Sequence, residues 1–162
     1  MNTDQRQLEV LISSINEVSR IENVIESLPR GYISVKRIAG HTYYYRQWRE
    51  GDKIISNYVP EAFLNGVKQK IVIRKENEQL LKITKKDLAK AIRLTEKAGL
   101  ISHEQVNMLL EGAKNDNLSR SDKEALVASR FPNPNKKLAE AISYYLDGMI
   151  SFNNLLLIEW GF

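Results

Sequence analysis

Between residues 32 and 59 the chain leaves the helical period that governs the rest of it. Tyr32-Ile33-Ser34-Val35-Lys36-Arg37-Ile38 alternates and is rich in β-branched residues. His41 to Arg49 carries Tyr43, Tyr44, Tyr45 and Trp48, and Lys53 to Val59 is a third alternating run. Such side chains suit a pleated, half-buried surface. The only spacers are Ala39-Gly40 and Glu50-Gly51-Asp52. Connections this short admit only antiparallel neighbours, which predicts a three-stranded meander. So small a sheet is marginal alone, so one of its faces must pack on a helix.

The flanks predict helices. Leu8, Leu11, Ile15, Val18, Ile21, Ile25 and Leu28 recur three and four apart, giving one helix over residues 4–28 that Pro29 and Gly31 end. The stripe is narrow and fits a seam filled by a single partner helix. Two partners are open. A basic helix over 61–82 would set Lys68, Lys70, Arg74 and Lys75 against Glu9, Glu17, Glu22 and Glu26. A second copy of the chain would form a homodimer, at the cost of pairing two acidic helices. Residues 84–162 read as all-helical. Thr84 caps a helix to Ala98, which Gly99 stops. Ser102 and Gln105 form a capping box, and Gly112 with Asn115-Asp116-Asn117 closes the helix they open. Ser121 and Glu124 form a second box, for a short helix to Ser129. Asn135 caps a helix to Leu146, and Ser151 opens the last. The apolar end, Leu155 to Phe162, is expected to dock into the helical core. The fold class is therefore α+β: an N-terminal helix, a meander, a basic helix and a bundle of αα-hairpins, with parts at 1–83 and 84–162.

That bundle contains a repeat. Leu88-Ala89-Lys90-Ala91-Ile92 leads to Gly99-Leu100-Ile101-Ser102, and Leu138-Ala139-Glu140-Ala141-Ile142 leads to Gly148-Met149-Ile150-Ser151. Each reads as a helix, a glycine stop, an apolar corner, a serine N-cap and a second helix. The corner resembles the helical hairpins of SHOCT-type domains, a resemblance that implies packing or oligomerisation. Use of a second helix as a DNA-recognition helix is disfavoured, because 103–111 and 152–160 contain no Lys or Arg.

Charge is unevenly spread. The chain carries net +4, but residues 30–90 carry +8 between flanks of −3 and −1. A basic block of this kind is the electrostatic footprint of a phosphate-backbone binder, or else a solvated Lys-rich helix beside an ordinary sheet. The absence of Cys excludes disulfides, thiolate metal sites and a thiol nucleophile. No run approaches the ~20 apolar residues of a membrane span, and the N-terminus lacks the pattern of a secretory signal. A cytoplasmic protein is expected.

On the second strand Thr42, Tyr44, Arg46 and Trp48 share one face, and Tyr43, Tyr45, Gln47 and Arg49 the other. Cations can neutralise phosphates and rings can stack on bases or sugars, so Lys36, Arg37, Tyr43, Tyr44, Tyr45, Arg46, Trp48, Arg49 and Lys53 are candidate binding residues. Lys68, Lys70, Arg74 and Lys75 of the following helix join them. The competing reading makes the rings cross-strand packers, Trp48 above all. Gly31, the run Gly40-His41-Thr42-Tyr43-Tyr44-Tyr45, then Gly51, Lys53 and Tyr58-Val59-Pro60 resemble an uncharacterised bacterial domain over residues 31–82. Members of that domain carry Cys pairs in the first turn, where this chain has only Ala39-Gly40, so a metal role does not carry over. The sheet-then-helix layout is similar to the arm-type DNA-binding domains of phage integrases. Val18-Ser19-Arg20-Ile21-Glu22-Asn23 resembles the inhibitory helix of Fic-type toxin–antitoxin systems, with Val18 where that motif has Ser or Thr.

Enzyme motifs are missing: no Gly-x-Gly-x-x-Gly, no Walker loop, no His-Glu-x-x-His and no Gly-x-Ser-x-Gly. His41 and His103 stand alone. The expectation is a non-enzymatic accessory or regulatory protein of bacterial, phage or mobile-element origin. It needs no cofactor or metal and binds DNA or RNA. The alternative is a protein-binding inhibitor, such as an antitoxin or an anti-CRISPR, acting on a protein or a protein–RNA complex.

Overall fold

The computed structural model describes residues 2–162. Helix α1 (Thr3–Ser27) leads into strands β1 (Tyr32–Ile38), β2 (His41–Glu50) and β3 (Lys53–Val59). Six further segments follow: α2 (Glu61–Lys97), α3 (His103–Gly112), a 3-10 turn (Ala113–Asn117), α4 (Arg120–Arg130), α5 (Lys136–Leu146) and α6 (Phe152–Glu159). The fold is α+β. Packing groups Arg20–Ile83 into one compact unit and groups Thr84–Phe162 with the residues up to Ser19 into the other. Most of α1, through Ser19, thus falls with the helical unit, although a sequence boundary at 83 places it with the sheet.

In the sheet unit the strands are ordered β1-β2-β3, all antiparallel. The two-residue turns fix the register. Ile38 pairs with His41 across Ala39-Gly40, and Glu50 pairs with Lys53 across Gly51-Asp52. Glu50 therefore belongs to β2, not to the turn.

Helix α2 departs from expectation. It runs unbroken for 37 residues, through the point where Thr84 was to cap a new helix. Neither Gly nor Pro interrupts residues 82–84, and Thr84 sits buried in mid-helix. The buried face of α1 is also wider than a seam. Ile12 is buried beside Leu8, Leu11, Ile15, Val18 and Ile21, while Ile25 and Leu28 are only half-buried.

The helical unit is built on the repeat. The burial pattern of Leu88–Leu100 recurs position for position in Leu138–Ile150. In both copies the chain leaves its helix through a left-handed glycine, Gly99 at φ 71° and Gly148 at φ 75°. Leu100 N donates to Thr95 O and Gly99 N to Glu96 O; Met149 N donates to Tyr144 O and Gly148 N to Tyr145 O. These paired bonds are Schellman motifs, which a Cβ-bearing residue would strain.

The second legs differ. Ser102 and Gln105 form the expected capping box on α3. Ser151 makes no such bond, and the free amide of Phe152 is instead capped from a distance by Asp116 Oδ1 at 2.7 Å. Gly112 does not stop α3 as a left-handed residue. It keeps helical φ, and a Cβ there would collide with the Asn153 side chain. Asn135 caps α5 as expected, while α4 is capped by Ser119, not Ser121. Leu155 and Leu156 lie in the core with Tyr145, Phe152, Leu109 and Val106, so the apolar C-terminal stretch docks as expected at its start, while Trp160 is half-buried and Phe162 exposed.

Candidate functional site

The register divides the meander into two faces of different character. One face carries Ile33, Val35 and Arg37 of β1, Thr42, Tyr44, Arg46 and Trp48 of β2, and Ile55 and Val59 of β3. It is the packed face in part: Val59 is buried and Ile33, Tyr44, Arg46, Trp48 and Ile55 are half-buried, while Val35, Arg37 and Thr42 are exposed. The other carries Tyr32, Ser34, Lys36 and Ile38, then His41, Tyr43, Tyr45, Gln47 and Arg49, then Ile54, Ser56 and Tyr58.

On the packed face Arg46 is committed to structure, as is Arg74 of α2, while Arg37 is exposed. Arg46 Nη1 donates to Arg30 O at 2.7 Å, and its guanidinium lies 3.8 Å from the centre of the Trp48 ring. Burial, with Arg30 and Arg74 nearby, lowers the Arg46 pKa. The Trp48 indole donates to Glu50 Oε1 at 2.9 Å, and Arg30 reaches the same oxygen at 3.0 Å. These bonds, the indole's first, pull the Glu50 pKa below its ordinary value. Arg74 is three-quarters or more covered and donates through Nη1 to Ile25 O and Leu28 O, at 2.7 and 2.6 Å. It thereby caps the C-terminal end of α1, where Ile25 O also accepts from the Leu28 amide. Its carboxylate partner is Glu78, one turn along α2, not a glutamate of α1.

The open face is different. Tyr58 stands between Tyr43 and Tyr45, with ring centroids 6.4 and 5.8 Å away. His41 continues the row 6.5 Å beyond Tyr43. Lys36 Nζ lies 4.7 Å from the Tyr45 centroid, close enough for cation–π attraction. Tyr32 OH donates to Gln47 Oε1 at 2.9 Å, and Gln47 Nε2 donates to Ser56 Oγ at 3.4 Å. No Asp or Glu stands on this face. Tyr58, Tyr32, Ile38 and Ile54 are more than half exposed.

The candidate residues are thus not gathered on one surface. Lys36, Tyr43, Tyr45 and Arg49 share the open face. Arg37, Tyr44, Arg46 and Trp48 stand on the packed one. Lys53 pairs with Glu50 in the last register position, and Lys68, Lys70 and Lys75 are exposed on α2. Sequence reasoning missed Tyr58 and His41 as members of the ring row. Counting outward from a two-residue turn at Gly51-Asp52 sets Tyr58 opposite Tyr45, a signal lost when Glu50 is read into the turn. No group of three or more His, Cys, Asp or Glu among the described residues could hold a metal ion, and no helix among them is long and apolar enough to cross a membrane.

No curated protein and no solved structure matches the chain. A family model described as a domain of unknown function (DUF6788) matches residues 3–69. That stretch takes in α1, the whole meander and the first turns of α2, so the chain is similar there to an uncharacterised domain that begins and ends earlier than the span 31–82 expected from the motifs.

Proposed function

We propose that the protein is a non-enzymatic nucleic-acid-binding accessory or regulatory protein of bacterial, phage or mobile-element origin, acting on cytoplasmic DNA or RNA through the open face of its meander. The observation that carries this reading is the composition of that face: the row Tyr43, Tyr58 and Tyr45, the cations Lys36 and Arg49, and no carboxylate. Rings and cations interleaved in this way supply stacking and phosphate neutralisation together. The +8 carried by residues 30–90 adds long-range attraction for a polyanion. The test is the affinity for labelled duplex and single-stranded oligonucleotides as a function of salt. Lys36→Ala and Arg49→Ala are each expected to lower the log–log salt slope by about 0.7–0.9, with unchanged melting temperature. No binding to any nucleic acid at ~50 mM salt would overturn the reading.

A second reading has its own support. Ile38 and Ile54 are 55% and 58% exposed on the same face, and apolar surface of this kind suits a protein partner. An inhibitor of a protein or protein–RNA complex, of the antitoxin or anti-CRISPR type, would use it. Co-purification of a stoichiometric protein that survives nuclease treatment and is lost with Ile54→Asp would favour this second reading over the first.

A further inference from the structure

Resting on that reading of the open face, we infer that its partner is unpaired nucleic acid, held by stacking of two or three bases on Tyr43, Tyr58 and Tyr45. The first reason is spacing. The three rings form a continuous row at 6.4 and 5.8 Å, crossing from β2 to β3 and back. Successive bases splayed from a single strand can be received by such a row, whereas bases inside a duplex already cover one another's faces. A second reason is that amide readout of base edges is poorly supplied. The one side-chain amide on the face, Gln47, is already bonded through both its oxygen and its nitrogen, to Tyr32 and Ser56. Bidentate readout of adenine in a duplex groove needs such an amide free. Charge is the third. Lys36 hangs over the Tyr45 ring and Arg49 stands on the same face, so cations flank the row where a strand's phosphates would pass. Among the described residues, the other recesses are of a different kind. The shallow groove between Val10 and Leu94 is apolar, and the recess beside Asp116 and Lys123 is lined by a carboxylate already bonded to Phe152.

The experiment uses the full chain and three labelled probes: a mixed-sequence single strand of about 16 nucleotides, its duplex, and a strand of equal length in which abasic sites replace the central bases. Stacking predicts that the single strand binds most tightly and that the abasic strand loses affinity although its phosphates are intact. Tyr58→Leu should weaken single-strand binding roughly 5- to 150-fold, the range for loss of one stacked base. Tyr58→Phe, which keeps the ring, should restore it. Thermal melts of both variants separate this from loss of fold, and Tyr43→Leu with Tyr43→Phe repeats the comparison at a site less central to the ring row. Equal affinity for strand, duplex and abasic strand, unaffected by Tyr58→Leu and Tyr43→Leu in folded protein, would overturn the stacking inference while leaving phosphate binding in place. Failure of all three probes to bind at ~50 mM salt would overturn both.

Discussion

At the scale of single residues, the clearest tension is at Ala39. It occupies the first position of the β1–β2 turn with φ 51°, and it is the only non-glycine residue with positive φ among those described. Two-residue hairpin turns favour Asn or Gly there, because a Cβ disfavours the left-handed region by roughly 1–2 kcal/mol. Ala39→Asn is therefore expected to stabilise the protein by about 0.5–1 kcal/mol, read from denaturant midpoints. Asp116 holds a different balance. Burial raises its pKa, against the Phe152 amide bond and the Lys123 charge, which lower it. The folded state thus binds this proton more readily than the unfolded state, and the Asp116 contribution to stability declines as pH rises above the ordinary carboxylate range. Asp116→Asn keeps an oxygen for the Phe152 amide and cannot ionise. Its melting temperature relative to the parent should increase between about pH 4 and pH 7; a difference that is flat or falls with pH would refute this. Beside it, Tyr145 donates to Asn115 O at 2.5 Å, and burial pushes its hydroxyl pKa up to about 12, so that phenol plays no part in the titration.

At the scale of elements, two glycines with similar sequence surroundings have opposite roles. Gly66 lies inside α2 with nothing within 4 Å of where a Cβ would stand. Gly66→Ala should stabilise the helix by about 0.5–1 kcal/mol, through lower backbone entropy in the unfolded chain. Gly112 also lies in a helix, but α6 crosses it so closely that a Cβ would meet Asn153, whose amide donates to Leu109 O at 2.8 Å. Gly112→Ala should cost about 1–3 kcal/mol, because either Asn153 or α6 must shift. Urea titrations of the two variants, moving in opposite directions, would verify the assignment. The strands show the same division between local and contextual information. Alternation marks the two faces of the meander, but it does not say which is packed. The commitment of Arg46 to Arg30 O and of Arg74 to the end of α1 depends on elements 16 and 46–49 residues away in sequence.

At the scale of the whole molecule, the basic block of residues 30–90 is a property of the sequence, not of one surface. Its cations divide among the open face of the sheet, the packed face and α2. If the ring row is the binding site, Lys68→Ala and Lys70→Ala should leave nucleic-acid affinity within about twofold, while Lys36→Ala and Arg49→Ala lower it and flatten its salt dependence. A larger loss on replacing the α2 lysines would assign part of the site to that helix.

The sequence by itself determined the elements whose causes are local. The meander followed from alternation and from spacers too short for anything but hairpins. The repeated hairpin followed from glycine stops and serine or asparagine caps, which act within one helical turn. Tertiary structure decided what depends on distant neighbours. Thr84 could cap a helix by its type, yet no breaker precedes it and the packing of its helix buries it. Ser151 looked sufficient as a cap, yet Asp116, reaching from 36 residues away, takes the amide. Arg74 looked like a phosphate ligand, yet the carbonyls of Ile25 and Leu28 at the end of α1 claim it. Lys36, Tyr43 and Tyr45 were legible as candidate binding residues from chemistry alone, but Tyr58 joined their row only through cross-strand pairing. Hydrogen-bond demand and burial are satisfied across space, so residue type limits what a side chain can do and the fold selects which of those roles it performs.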